Sequence, residues 1–235
     1  MPRDLISILD EKYPEVATAF RASIDLMQND IRVTLVEQAL TRHSIEEVML
    51  LLDFDQSYYE PLRRAINEVY AAGGAFALDK IRRAGRTYGI AGAAIGHFDG
   101  SNPRAEAWLR DRTSTLITNI SDDQRNAIQQ ALLASWRRGD NPRTTALDIV
   151  GRVNQVTRRR EGGLLGLTSR QQGWVNDALE ELSAGTTRSL RRYLTRELRD
   201  KRFDSLILQS IETGRPISDR KIRQILARMK AKTLR

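Results

Sequence analysis

The sequence predicts an all-α protein, a multi-helix bundle with an N-terminal helical part and a basic C-terminal helical half. Three observations carry this. Apolar residues recur at three- and four-residue steps along most of the 235 residues, which is the period of one helix face. No run alternates apolar and polar residues over strand length with turn signals at both ends. Helix-start and helix-stop residues punctuate the chain repeatedly.

The elements follow in order. Residues 14–41 place Val16, Phe20, Ile24, Met27, Ile31, Leu35 and Leu40 at three- to five-residue steps, which fits one helix or two nearly continuous ones. Ser44 is a good N-cap, and Glu46 and Glu47 fall in the following turn, where the helix dipole favours acids. That helix carries Val48, Met49, Leu51 and Leu52. Residues 58–80 repeat the pattern with Leu62, Ile66, Val69 and Tyr70, and Gly73-Gly74 marks a kink or an end. In residues 81–103, Gly85, Gly89, Gly92, Gly96 and Gly100 recur among Ala, Ile and Tyr. They read either as a close-packed segment or as a surface loop with a short helix. They are not a phosphate-binding loop, because no Gly-Lys-Ser/Thr occurs and no strand precedes them. The main boundary falls here, dividing an N-terminal helical region, 1–100, from a basic helical region, 101–235.

Beyond it, Pro103 suits the first turn of a helix through Trp108, Leu109, Leu116 and Ile117. Ser121 with Gln124 reads as a capping box that starts a separate helix, with Ile128, Leu132, Leu133 and Trp136 inward. Gly139 supplies the stop and Asn141-Pro142 the restart. Thr144 to Val156 is then a short helix with Ala146, Ile149, Val150 and Val153 inward. Arg158-Arg159-Arg160-Glu161-Gly162-Gly163 reads as a flexible basic loop. Thr168 or Ser169 caps a helix through Trp174, Val175, Leu179 and Leu182, and Thr186-Thr187 precedes one over 188–200. Phe203 to Ile211 makes another. Pro216 and Ser218 lead into the last, with Ile222, Ile225 and Met229 on one face. The three tryptophans, Trp108, Trp136 and Trp174, read as core anchors. The tripeptides Asn102 to Arg104 and Asn141 to Arg143 read as local helix-start chemistry rather than as a repeat.

Composition excludes several classes of chemistry. There is no cysteine, so disulfides and thiolate metal sites are ruled out. No run approaches the roughly 18 apolar residues of a membrane span, and the charged N-terminus does not read as a signal peptide. His43 and His97 are the two histidines. His43 stands at a helix junction, and His97 beside Asp99 lacks a third group. Asp122-Asp123 fits the dipole of the helix expected to start at Ser121, and Glu180-Glu181 lies on an amphipathic face. No Gly-x-Ser-x-Gly elbow occurs. No catalytic residue, metal or cofactor is expected, and the chain reads as a non-enzyme.

Charge is the positive signal. Residues 1–117 hold 14 Lys+Arg against 17 Asp+Glu, a net of -3, whereas residues 118–235 hold 24 against 13, a net of +11. Arg158, Arg159 and Arg160 form one cluster. Arg188, Arg191, Arg192, Arg196, Arg199 and Arg202 form a second, in which Arg188, Arg192, Arg196 and Arg199 fall near one stripe of the expected helix. Arg220, Lys221, Arg223, Arg228, Lys230, Lys232 and Arg235 form a third. Such clusters contact DNA phosphates without regard to sequence, or form a solvated face, or reach acidic residues on a protein partner. The lack of interleaved aromatics argues against reading of bases. The residues named for DNA contact are the nine arginines of the first two clusters.

The stretch from Phe98 to Arg170 carries motifs in a fixed order: Phe98-Asp99, Asn102-Pro103-Arg104-Ala105, Trp108-Leu109, Gly139-Asp140-Asn141-Pro142-Arg143, and Gly166-Leu167-Thr168 before Gln171-Gln172. Tyr13-Pro14 and the Tyr70 to Gly74 helix end precede it. Tyr193-Leu194, the run Leu198 to Asp204 and the Gly214-Arg215-Pro216-Ile217 turn follow it. In order and spacing these resemble the bacteriophage head morphogenesis family, the minor head proteins similar to the Mu F protein and portal-associated minor capsid proteins. Related proteins continue into an Arg-Thr-Glu segment, where this chain has Lys232-Thr233-Leu234-Arg235; it reads as a short member or one without its C-terminal part. The resemblance implies a structural minor head protein of a tailed phage, made in the host cytoplasm and held inside the capsid of the virion near the portal. It implies portal or major capsid protein and double-stranded phage DNA as partners, several copies per virion, and a part in head assembly and genome packaging or ejection. It implies no membrane contact in the resting state. The alternative is a cellular DNA-binding regulator, for which no recognition helix stands out.

Overall fold

The computed structural model describes residues 4–87 and 102–234. The boundary expected near residue 100, the glycines from Gly89 to Gly100, His97 and the Phe98-Asp99 start of the ordered motif lie outside the described residues. Among the described residues the protein is all-α, with ten α-helices and a single two-stranded hairpin. The helices are α1 (Leu5–Asp30), α2 (Val33–Thr41), α3 (Ile45–Leu51), α4 (Glu60–Thr87), α5 (Pro103–Arg138), α6 (Pro142–Val150), α7 (Ser169–Ala184), α8 (Thr187–Leu194), α9 (Asp204–Thr213) and α10 (Asp219–Thr233). Between α6 and α7 lie β1 (Arg152–Val153) and β2 (Arg160–Glu161), which pair antiparallel with Arg152 opposite Glu161. No described helix is long and apolar enough to cross a membrane.

The chain divides into two compact units, one of residues 1–23 and 55–119, the other of residues 24–54 and 120–235. In the first, α1 runs through Pro14, and α4 runs through Gly73-Gly74 without ending. Ile8, Tyr59, Leu62, Ala65 and Ile117 are buried, and Tyr70 on α4 meets Trp108 on α5 at 5.8 Å between ring centres. In the second unit α2 packs on α3 and α6, and α7 packs on α8 and α10. Its core includes Val36, Leu40, Val48, Ile128, Leu132, Ile149, Leu165, Leu182, Leu190, Ile207 and Ile225.

Many starts obey the local rules. Ser44 accepts the N–H of Glu47, and Thr168 and Gln171 form a full capping box at α7. Both Asn-Pro-Arg tripeptides are helix starts. Asn102 Oδ1 accepts the Arg104 N–H at 3.0 Å, and Asn141 Oδ1 accepts those of Arg143 and Thr144.

Four expectations are corrected. First, Ser121 does not cap a helix, because α5 is continuous from Pro103 to Arg138. No glycine or proline interrupts it, and its polar residues serve a neighbour. Asp123 accepts the Ser169 N–H at 2.9 Å at the start of α7, and Gln124 Oε1 accepts the Gly166 N–H at 3.2 Å. A carboxylate credited to its own helix thus caps another. Asp123→Ala is expected to cost about 1 kcal/mol, read as a lowered urea midpoint. A loss no larger than that of the exposed Asp122→Ala would refute the cross-helix cap.

Second, the helix over 144–156 stops at Val150, and Val153 lies on β1, exposed. The basic segment after it is partly the ordered strand β2. Gly162, at a φ of +72°, lies so close to α10 that a Cβ there would meet the Ala227 carbonyl oxygen at 2.6 Å. Third, the tryptophans are not fully buried: Trp108 is 57% exposed and Trp174 38%, while Trp136 leans on His43 at 5.4 Å. Their stripes are apolar, but Trp108 lies against Tyr70 and Trp174 carries the Arg170 guanidinium over its ring at 5.7 Å. Fourth, the helix expected over 188–200 ends at Leu194.

Candidate nucleic-acid interface

The early end of α8 decides what its arginines do. Thr186 caps the start, accepting the Ser189 N–H at 3.1 Å. At the other end the Thr195 hydroxyl donates to the Arg192 carbonyl at 2.7 Å, and the Arg196 N–H donates to the Tyr193 carbonyl at 3.0 Å. This tight closure turns the chain away. Arg196 then reaches back to α7, where Nε and Nη2 donate to the two oxygens of Glu181 at 2.7 and 2.9 Å. Both side chains are sheltered, at 18% and 7% exposure. The Glu181 carboxylate, by accepting these bonds, holds the Arg196 guanidinium protonated beyond its ordinary range. Arg192 shares the same carboxylate at 3.0 Å.

Arg199 is spent in the same way. It pairs with Asp204 at the start of α9 through Nε and Nη2, each at 3.0 Å, and its Nη1 donates to the Arg196 carbonyl. Arg202 holds Asp200 at 2.6 Å, and that bond keeps the Asp200 carboxyl below the usual carboxylate range. The expected stripe of Arg188, Arg192, Arg196 and Arg199 therefore does not form. Arg196 and Arg199 staple a turn, while Arg188 and Arg191 stay exposed on α8 with no ion pair among the described residues. The Tyr193 hydroxyl is buried with no hydrogen-bond partner among the described residues, and burial pushes its pKa up.

The first cluster divides as well. Arg158 occupies the turn of the hairpin at a φ of +57°, exposed. Arg159 reaches Asp25 at 3.4 Å but remains largely in solvent. Arg160, on β2, donates through Nη1 to the Gly151 carbonyl at 3.1 Å. Of the nine arginines named from sequence, Arg158, Arg188 and Arg191 are exposed without an acidic partner among the described residues. Arg159, Arg192 and Arg202 are exposed but paired, and Arg160, Arg196 and Arg199 are engaged within the fold.

The third cluster divides by helix face. Arg220 and Arg228 are exposed and Arg223 is half-buried, whereas Lys230 points inward. The Lys230 side chain is 7% exposed, and Nζ reaches the Asp148 carbonyl at 3.4 Å. Burial pushes its pKa below the ordinary lysine value, Asp148 pulls it up, and Arg152 pushes it down. A lysine depressed in the folded state costs stability in full below its folded pKa, and the cost vanishes as pH rises past the unfolded value. Lys230→Met is therefore expected to stabilise the protein by about 1–2 kcal/mol at neutral pH, with a smaller gain in alkali. A gain that grows with pH in urea titrations would contradict this account.

A cavity of about 410 Å³ beside Lys230 is lined also by Arg138, Asp140, Asp148, Gln172 and Asp219. With Arg223, which also lines it, three cations face three carboxylates, and no group of three or more His, Asp or Glu able to hold a metal occurs among the described residues. No family model, no curated protein and no solved structure matches the chain.

Proposed function

We propose that the chain is a non-enzymatic structural protein of a tailed-phage head, lying inside the capsid near the portal. In this reading it binds portal or major capsid protein and contacts the packaged genome through non-specific phosphate contacts. The ordered motifs of residues 98–170 support the head assignment. The observation that carries the DNA contact is the surplus of exposed cations in the second half. Arg158, Arg188, Arg191 and Arg220 stand exposed without acidic partners among the described residues, in a half whose net charge is +11. Unpaired guanidinium groups at the surface are free to displace counterions from phosphates.

A binding titration on random-sequence duplex tests the DNA contact. Affinity is expected to fall steeply with salt, with a log–log slope of about -4 or steeper, and to vary little among sequences. Absence of salt-sensitive binding would refute the genome contact, and strong preference for one sequence would replace it with a regulator. Mass analysis of purified virions tests the head assignment, which falls if the protein is missing from them.

A further inference from the structure

The hairpin and α10 enclose a groove of about 880 Å³ in the second unit. Arg220, Arg223 and Arg228 line it from α10, and Arg152 lines it from β1. Its one acidic lining residue among those described is Glu161. Four guanidinium groups thus line a groove with one carboxylate in its wall, which is already engaged; outside the wall Asp148 pairs with Arg152 and Asp200 lies near Arg228. Glu161 accepts from Asn154 Nδ2 at 3.0 Å and Thr157 Oγ1 at 3.2 Å, and Arg228 stands 3.6 Å away. Arg220 and Arg223 have no ion pair among the described residues. Arg152 is anchored through Nη2 on Asp148 at 2.9 Å, while its Nη1 is buried with no hydrogen-bond partner among the described residues.

With Nη2 on Asp148 and Nη1 shut off from solvent, Arg152 is the fixed end of the wall rather than a ligand contact. The cations are also held in place. Gly162 sits directly against the α10 backbone at Ala227, which fixes the hairpin to the helix. Arg220 and Arg228 are separated by about 12 Å along the helix axis at 1.5 Å per residue, so the cationic wall is extended rather than a point. Among the described residues no aromatic side chain lines the groove, so these offer no platform for stacked bases. Multivalent, extended along α10 and without a described aromatic platform, it suits a run of phosphodiesters better than a single small anion.

We infer that the groove between the hairpin and α10, with Arg152, Arg220, Arg223 and Arg228, is a binding site for the phosphate backbone of duplex DNA. The inference rests on the genome contact proposed above and adds to Arg158, Arg188 and Arg191 a stronger site on residues outside the first two arginine clusters. Arg152 anchors the wall, Arg220, Arg223 and Arg228 take the phosphates, and Glu161 limits the affinity by opposing them.

The test is fluorescence anisotropy of a labelled random-sequence duplex with the full-length chain across about 50–200 mM salt. The variant R220Q/R223Q/R228Q is expected to bind about 10-fold or more weakly and to lose about 3 units of salt slope. The charge-keeping R220K/R223K/R228K variant should retain most of the affinity. Glu161→Gln should bind about 2- to 3-fold more tightly, a gain that lost folding would not produce. R188Q/R191Q, on α8, is the control for cations elsewhere and should change affinity less than the groove variant. If the native chain binds with a steep salt slope and the glutamine triple variant matches it, the groove is wrong while the genome contact stands. If the native chain shows no salt-sensitive duplex binding, both fall. Binding to anionic phospholipid vesicles in place of duplex, lost in the triple variant, would overturn the ligand and make the groove a membrane contact.

Discussion

Replacing Glu181 with alanine is expected to lower stability by about 3 kcal/mol, seen as a reduced urea midpoint at unchanged slope. The carboxylate is 7% exposed and takes two hydrogen bonds from Arg196, itself only 18% exposed. Removing it leaves a sheltered guanidinium without its bidentate partner, with Asp177 at 3.7 Å as a poor substitute. The size of the loss comes from the stranded charge rather than from the worth of the pair. For that reason a double replacement, Glu181→Leu with Arg196→Met, should recover most of it. Arg192→Ala provides the contrast. Arg192 touches the same carboxylate with a side chain 74% exposed, so its loss should cost no more than about 1 kcal/mol. If Glu181→Ala and Arg192→Ala prove equal, the pair does not staple α7 to the turn after α8.

Gly163→Ala is expected to be of similar size, about 2–3 kcal/mol. A Cβ at Gly163 would stand 2.6 Å from the Ile149 carbonyl oxygen and 2.8 Å from the Gly151 nitrogen. Those neighbours are backbone, so no side chain can swing aside. The hairpin would have to lift away from the end of α6, whose Ile149 carbonyl accepts the Leu164 N–H at 2.8 Å. Gly173→Ala supplies the opposite sign. Gly173 lies inside α7 with nothing within 4 Å of its missing Cβ, so alanine should add about 0.5–1 kcal/mol. Equal midpoints for the two variants would refute close approach as the reason for the glycine.

Much of the fold was legible because helix starts are decided within four residues. Ser44, Asn141 and Thr168 each satisfy N–H groups of their own helix. The same reasoning failed at Ser121, where the local pattern of a capping box sits inside an unbroken helix. Asp123 and Gln124 there answer to Ser169 and Gly166, more than forty residues away. The end of α8 was hidden for a related reason. Leucine spacing continued past Leu194, but the Thr195 hydroxyl and the reach of Arg196 to Glu181 closed the helix.

The candidate site was legible as charge and not as geometry. Nothing in the order of residues separates Arg188, which is exposed, from Arg199, which is bound to Asp204 and to a carbonyl. Arg152 stands apart from any run of basic residues, so no local pattern marks it. A groove gathers side chains from distant segments, and a run-based reading sees one segment at a time.

The sequence by itself determined the all-α class, most helix starts and the asymmetry of charge, since periodicity, capping and composition act over a few residues or need no coordinates at all. Tertiary structure alone decided which arginines are free and which are fasteners. Charge availability depends on whether a carboxylate or carbonyl lies within hydrogen-bonding distance, and such partners can lie anywhere along the chain.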